Sequence, residues 1–252
     1  MSRHIPPATK ILLVFNVGLF LLTMLLANSG INLEIVLGAF FPGSPNFHVY
    51  QVITHMFMHG GWAHILFNMI ALWSFGSAME ITLGTRRFAI FYFVCGIGAF
   101  ILFNVVNYIE VQRLINALVP QGTDIENLFH LAKRNIDGSF VNDVQHVSFS
   151  GNSEQVQALF SHLVTPMVGA SGAIFGLLVG FAMLYPDAKI MLLIPPIPIK
   201  AKYLMPFLII VELYLGMNTY QGDNVAHFAH LGGAVIGFFM IRHWKNNRYR
   251  IR

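Results

Sequence analysis

The sequence predicts an all-α polytopic membrane protein with six spanning helices, a first loop that dips into the membrane and a long polar insertion between helices 3 and 4. Three observations lead there. Hydrophobic residues make up 56% of the 252 positions and charged residues only 10%, whereas a soluble domain carries about 25% charge. The apolar residues gather into runs of bilayer-spanning length. The basic residues gather between alternate runs, as they do when charge decides which loops stay on one side.

Residues 1–10 form a short basic tail, and the first span runs from about residue 11 to 27. Residues 28–61 are apolar but broken by Gly38, Pro42, Gly43 and Pro45. Irregular backbone is costly in lipid, so this stretch predicts a loop partly immersed in the interface. The second and third spans, about 62–83 and 88–108, are joined by Gly84-Thr85-Arg86-Arg87. Residues 109–165 are rich in acids, bases, Asn, Gln and Ser. They predict a water-exposed insertion with short amphipathic helices near Asn127–Arg134 and Glu154–Leu163. The remaining spans are about 168–185, 203–217 and 226–241, and a basic tail ends the chain.

Twelve of the fifteen Lys and Arg lie in the two tails, the Arg86-Arg87 turn and the loop with Lys189, Lys200 and Lys202. The other three lie in the insertion. Positive-inside sorting therefore predicts an N-in, C-in protein. This loop-by-loop sorting gives no reason to expect a nucleic-acid partner. The single cysteine, Cys95, excludes a disulfide framework and a cysteine-based zinc site.

Chemistry is carried by polar residues inside or beside spans, where they are expensive and usually functional. Ser171 sits in Gly169-Ala-Ser171-Gly172 at the start of the fourth span. The Gly-x-Ser-x-Gly elbow of soluble hydrolases fails here, because position 173 is alanine and no strand precedes it. A helix start nevertheless offers free N–H groups to a developing oxyanion. The bland alternative is that Gly169, Gly172 and their neighbours only let helices approach closely. In the second span His64 and Asn68 are four apart and share a face, either to hold one ligand oxygen or to tie the helix to the first loop. His55 and His59 are also four apart, but they precede a Gly-Gly break and lack the glutamate of His-Glu-x-x-His. Bonding to loop carbonyls is the preferred reading, and no metal site is expected.

His227 and His230 lie at the start of the sixth span, with Gly233 and Gly237 at three and seven residues beyond His230. If that small-residue face meets Gly172, Gly176 and Gly180 of the fourth span, His230 falls beside Ser171. A neutral imidazole there activates a serine and later protonates a leaving amine. His227 lacks a glycine at three residues beyond and fits this packing less well. No acidic third member presents itself: Glu80 belongs to the other end of its helix, and Glu212, in the middle of the fifth span, is left unplaced.

Gly169-Ala-Ser171-Gly172, His64-Ile-Leu-Phe-Asn68 and Ala229-His230-Leu-Gly-Gly-Ala-Val-Ile-Gly237, in their order, resemble the rhomboid intramembrane serine proteases in their bacterial six-helix form. The resemblance covers nearly the whole chain apart from the insertion. It implies a rhomboid-like bundle, Ser171 as nucleophile, His230 as base, and His64 and Asn68 with the Ser171 N–H as the oxyanion hole. His55 and His59 match histidines that order the first loop and the water near the site, and Gly169, Gly172 and His227 are expected as supporting residues on their position beside the serine and the base. It implies single-pass membrane proteins as substrates, cut near their external end in the bilayer, and no cofactor. Two departures stand out: Tyr50-Gln51 replaces a Trp-Arg pair of the first loop, and the 109–165 insertion is long, with a gating or substrate-recruiting role expected of it. The compact form without a transit peptide points to a bacterial inner membrane, with the site open to the external side under a loop near 220–225. The rivals are an inactive binder of membrane helices, a histidine-based metal hydrolase, and a transporter, the last disfavoured by the absence of paired inverted repeats.

Overall fold

The protein is an all-α polytopic membrane protein, described from a computed structural model over residues 4–142, 150–191, 196–218 and 226–246. The roofing loop expected near 220–225 lies outside the described residues. Among the described residues, Pro7–Ala27, Trp62–Leu83 and Thr85–Gln121 are long and apolar enough to cross a membrane. Ser171–Leu184 is apolar but shorter.

The elements are α1 (Pro7–Ala27), α2 (Leu33–Leu37), α3 (Gln51–Thr54), α4 (Trp62–Ala71), α5 (Ser77–Leu83), α6 (Thr85–Leu118), α7 (Ile125–Leu131), α8 (Ser153–Val164), α9 (Ser171–Leu184), α10 (Ala201–Met217) and α11 (His227–Asn246). A π-helical turn at Leu72–Gly76 joins α4 to α5. Between α9 and α10 an antiparallel hairpin pairs β1 (Lys189–Met191) with β2 (Pro198–Lys200). Beside it Lys202 and Lys200 hold the Asp187 carboxyl below its ordinary range.

The chain forms two compact units. One comprises residues 1–17, 61–103 and 169–252, the other 18–60 and 104–168. In the first, glycines bring α6, α9 and α11 into backbone contact. A methyl on Gly237 would meet the Gly176 carbonyl at 2.7 Å, and one on Gly232 the Gly98 carbonyl at 2.7 Å. The small-residue spacing of α9 and α11 is thus a close face, except that Gly180 is filled by Met79, Phe91 and Ile241. Glu80 is buried and caps the start of α1. It accepts from Ala8 N at 2.9 Å, Thr9 N at 2.7 Å and the Thr9 and Thr85 hydroxyls at 2.8 Å each.

In the second unit the first loop is folded on its own hydrogen bonds. Gln51 is fully buried, and its Oε1 accepts from the backbone N–H of His48 at 3.0 Å and Phe40 at 3.4 Å. Its Nε2 donates to the Asn46 carbonyl at 3.2 Å. Ala39 and Met167 exchange backbone hydrogen bonds, fixing this loop to the segment that leads into α9.

The insertion has a small core of its own beneath its exposed residues. Its first ten residues continue α6 to Leu118, ten past the expected end at Tyr108, because Val111, Leu114 and Leu118 have a core to enter. They pack with Leu128, Ala132, Leu159, Leu163 and Phe41 of the first loop. Asn46 cements the join, donating to the Ala132 carbonyl at 2.8 Å and accepting from Arg134 N at 2.8 Å. The two expected short helices are α7 and α8, each opened by an Asx cap at Asp124 and Asn152.

Candidate active site

Ser171 is the first residue of α9, so its N–H and those just after it lack intrahelical acceptors. The chain enters that helix through Gly169, whose φ of 128° strains any residue with a side chain. Space forbids one too: a methyl on Gly169 would lie 2.9 Å from His64 Nε2 and 3.4 Å from Ser171 Oγ. His64 Nε2, the Gly169 backbone and Ser171 Oγ therefore border one small space.

His230 lies in the first turn of α11 and is buried. Its Nε2 is 2.8 Å from Ser171 Oγ. Phe175, one turn into α9, stacks on the imidazole with ring centroids 4.3 Å apart and planes 6° apart. The other ring nitrogen, Nδ1, is 2.9 Å from Glu212 Oε2. The same oxygen is 2.7 Å from His227 Nδ1. The site thus contains an acidic member where sequence reading found none. A residue in the middle of a span gives no sign of its partner until α10 is packed against α11.

The other expected residues are distributed as follows. Asn68 is buried and its Nδ2 donates to the His64 carbonyl at 2.8 Å, so this amide is engaged with its own helix. Gly172 faces Ala99 and the Ala229 carbonyl, which lets α11 lie close at this level. His227, which the glycine spacing disfavours, is buried and joined to Glu212. His55 and His59 belong to the first-loop unit and are buried. His55 Nδ1 lies 2.8 Å from the Gln51 carbonyl, and burial pushes its imidazole down to about 4. Among the described residues, Glu212, His227 and His230 have ligand atoms close enough to share a metal ion, all within 4.8 Å. This trio does not include His55 and His59, the pair whose spacing permits a metal site on a helix.

Comparison with known proteins adds the family. The family model described as a Rhomboid domain matches residues 46–110 and 147–244, well over half the chain. The chain is 28% identical over 187 residues to Rhomboid protein 1, mitochondrial, of Saccharomyces cerevisiae, covering 74% of this chain and 39% of that protein. It is 25% identical over 239 residues to RHOMBOID-like protein 12, mitochondrial, of Arabidopsis thaliana, covering 91% and 59%. Rhomboid protease GluP of Bacillus subtilis matches at 42% over 48 residues, 19% of this chain and 10% of that protein. The chain therefore spans less than two thirds of the length of these relatives.

These matches correct the expected bacterial inner membrane. The relatives matched over most of the chain are mitochondrial, and the bacterial match covers a fifth of it. The expectation rested on a compact six-span form without a transit peptide, and neither compactness nor the spans and charged loops report which bilayer a chain crosses.

Proposed function

This chain belongs to the rhomboid family, and on that premise we propose that it is an intramembrane serine endopeptidase working through Ser171 and His230. The observation that carries the proposal is the 2.8 Å contact between Ser171 Oγ and His230 Nε2 at the start of a helix. His230 Nε2 takes the hydroxyl proton as Oγ attacks a peptide carbonyl. The free N–H groups at the start of α9 and His64 face the oxyanion that forms. His230 then passes the proton to the leaving amine, and water, activated by the same ring, releases the acyl group. Asn68 supports His64 by holding its carbonyl.

The substrates are single-pass membrane proteins. An intact helix hides its carbonyls in i to i+4 bonds, so the cut segment must unwind, and helix-breaking or small residues at the cut favour this. Helices α9, α10 and α11 complete six spans around the site. The names of the yeast and plant relatives support a mitochondrial membrane as its location.

The test is labelling by a serine-reactive fluorophosphonate in lipid bilayers, beside Ser171→Ala and His230→Ala. The expected result is labelling of the parent alone. An unlabelled but folded parent overturns the proposal. The Glu212–His227–His230 trio favours one other reading, a metal-dependent hydrolase. In that case a chelator abolishes cleavage of a membrane substrate and Ser171→Ala does not.

A further inference from the structure

We infer that Glu212 is a positioning residue that extends the Ser171–His230 pair to a triad, with His227 holding the carboxylate in place. The inference rests on the reading of Ser171 and His230 as nucleophile and base. Glu212 sits within the apolar helix α10, and its side chain is 14% exposed. A carboxylate there is costly unless hydrogen bonds replace its water. Its Oε2 has two such partners, Nδ1 of His230 at 2.9 Å and Nδ1 of His227 at 2.7 Å.

The consequence for His230 follows from its two nitrogens. A neutral imidazole carries one N–H, and the carboxylate is an acceptor, so Nδ1 carries the hydrogen and donates it to Glu212. Nε2 is then left with its lone pair, and it is Nε2 that faces Ser171 Oγ at 2.8 Å. When Oγ gives up its proton, the proton resides on Nε2. The resulting imidazolium lies between the new Oγ–carbon bond and the Glu212 charge, and Glu212 itself stays unprotonated. The proton then leaves from Nε2 to the amine, restoring the starting tautomer. Phe175, flat against the same ring at 4.3 Å, holds its plane, while Glu212 holds its rotation and proton position. His227 donates to the same oxygen, so the carboxylate is fixed from both sides in α11 while it reaches across from α10.

The experiment compares the full chain in bilayers with Glu212→Leu, Glu212→Gln and His227→Ala, by fluorophosphonate labelling and by cleavage of a membrane substrate. Leucine removes the acceptor and the charge at similar volume; glutamine retains an acceptor oxygen but no charge. The expected result is a loss in kcat of about a hundredfold for leucine and a smaller loss for glutamine, with KM nearly unchanged and folding retained. His227→Ala lowers kcat less than either. A role in stability alone predicts that leucine, which strands the Nδ1–H groups of two buried histidines, lowers the melting temperature while the folded protein reacts at the parent rate. Either Glu212 variant reacting at the parent rate overturns the inference, and glutamine decides alone if leucine does not fold. Parent labelling that a chelator removes and zinc restores overturns it as well, because the trio is then a metal site. A parent that never labels fails at Ser171 and His230, not at Glu212.

Discussion

Gly233 of α11 backs onto the Gly172 carbonyl of α9 with no room for even a methyl group between them. Gly172 follows Ser171 and Gly233 lies three residues past His230, so this contact sets the distance between the two side chains. Gly233→Ala must push α9 and α11 apart or tilt one of them. Overpacking of this kind costs about 1–3 kcal/mol, but the larger effect is on the 2.8 Å contact between Ser171 and His230. The variant is expected to remain folded in bilayers and to lose most fluorophosphonate labelling. Labelling at the parent rate would show that the helix contact does not set the site.

Phe175 contributes in a different way. Stacked aromatic contacts are worth about 0.5–1.5 kcal/mol, so Phe175→Leu is expected to lower kcat by no more than about tenfold, with KM nearly unchanged. Steady-state cleavage of a membrane substrate separates the two parameters. A rise in KM alone would make Phe175 a substrate contact instead.

The first loop carries a pH dependence. Burial holds the His55 imidazole neutral, down at about 4 against an ordinary value of 6.5. Below pH 6.5 the unfolded chain takes up a proton that the folded loop refuses, so stability is complete above that pH and declines as pH falls toward 4. The total at stake is about 3 kcal/mol, at 1.36 kcal/mol per unit. Thermal unfolding in bilayers at pH 7.5 and 5 should show the loss, and His55→Gln should flatten it. Equal slopes in the two proteins would exclude His55 as the source.

Gln51 is the hub of the same loop. Gln51→Leu strands the N–H groups of His48 and Phe40 and the Asn46 carbonyl, at roughly 1–3 kcal/mol for each buried group left unpaired. Faster proteolysis within residues 39–51 is the expected readout. Unchanged protection would mean that water replaces the lost partner.

Leu159 is fully buried in the cluster that α6, α7, α8 and Phe41 share. Leu159→Ala is expected to cost about 2–5 kcal/mol and to expose the insertion to protease before the spans unfold. A single cooperative transition for the whole chain would show instead that the insertion is not a separable core.

The sequence made the membrane class, the helix order and the close face of α9 on α11 readable, because each depends on one helix's composition or on glycine spacing along it. Ser171 and His230 could be paired on that spacing, and their side chains meet in the structure. Glu212 and Phe175 were harder. Glu212 acts across helices, and no period along α10 says which neighbour its side chain will reach. Phe175 is one aromatic among 23 phenylalanines, and only its position one turn beyond Ser171 hinted at a ring over the base. The insertion reads as polar with short amphipathic helices, and nothing in its own sequence says what the apolar faces of those helices meet. Its core is assembled from three helices and a distant loop residue, Phe41.

The Glu80 cap ties the beginning of the chain to the second span. Three of its four hydrogen-bond donors come from Ala8 and Thr9, and only one from Thr85. A truncation before residue 7 leaves all of them in place. A cut past Thr9 would leave a buried carboxylate with a single partner, and the damage would appear in the helix that carries His64 and Asn68. The start of α1 and the span that carries His64 and Asn68 are therefore linked through one side chain that takes no part in the chemistry.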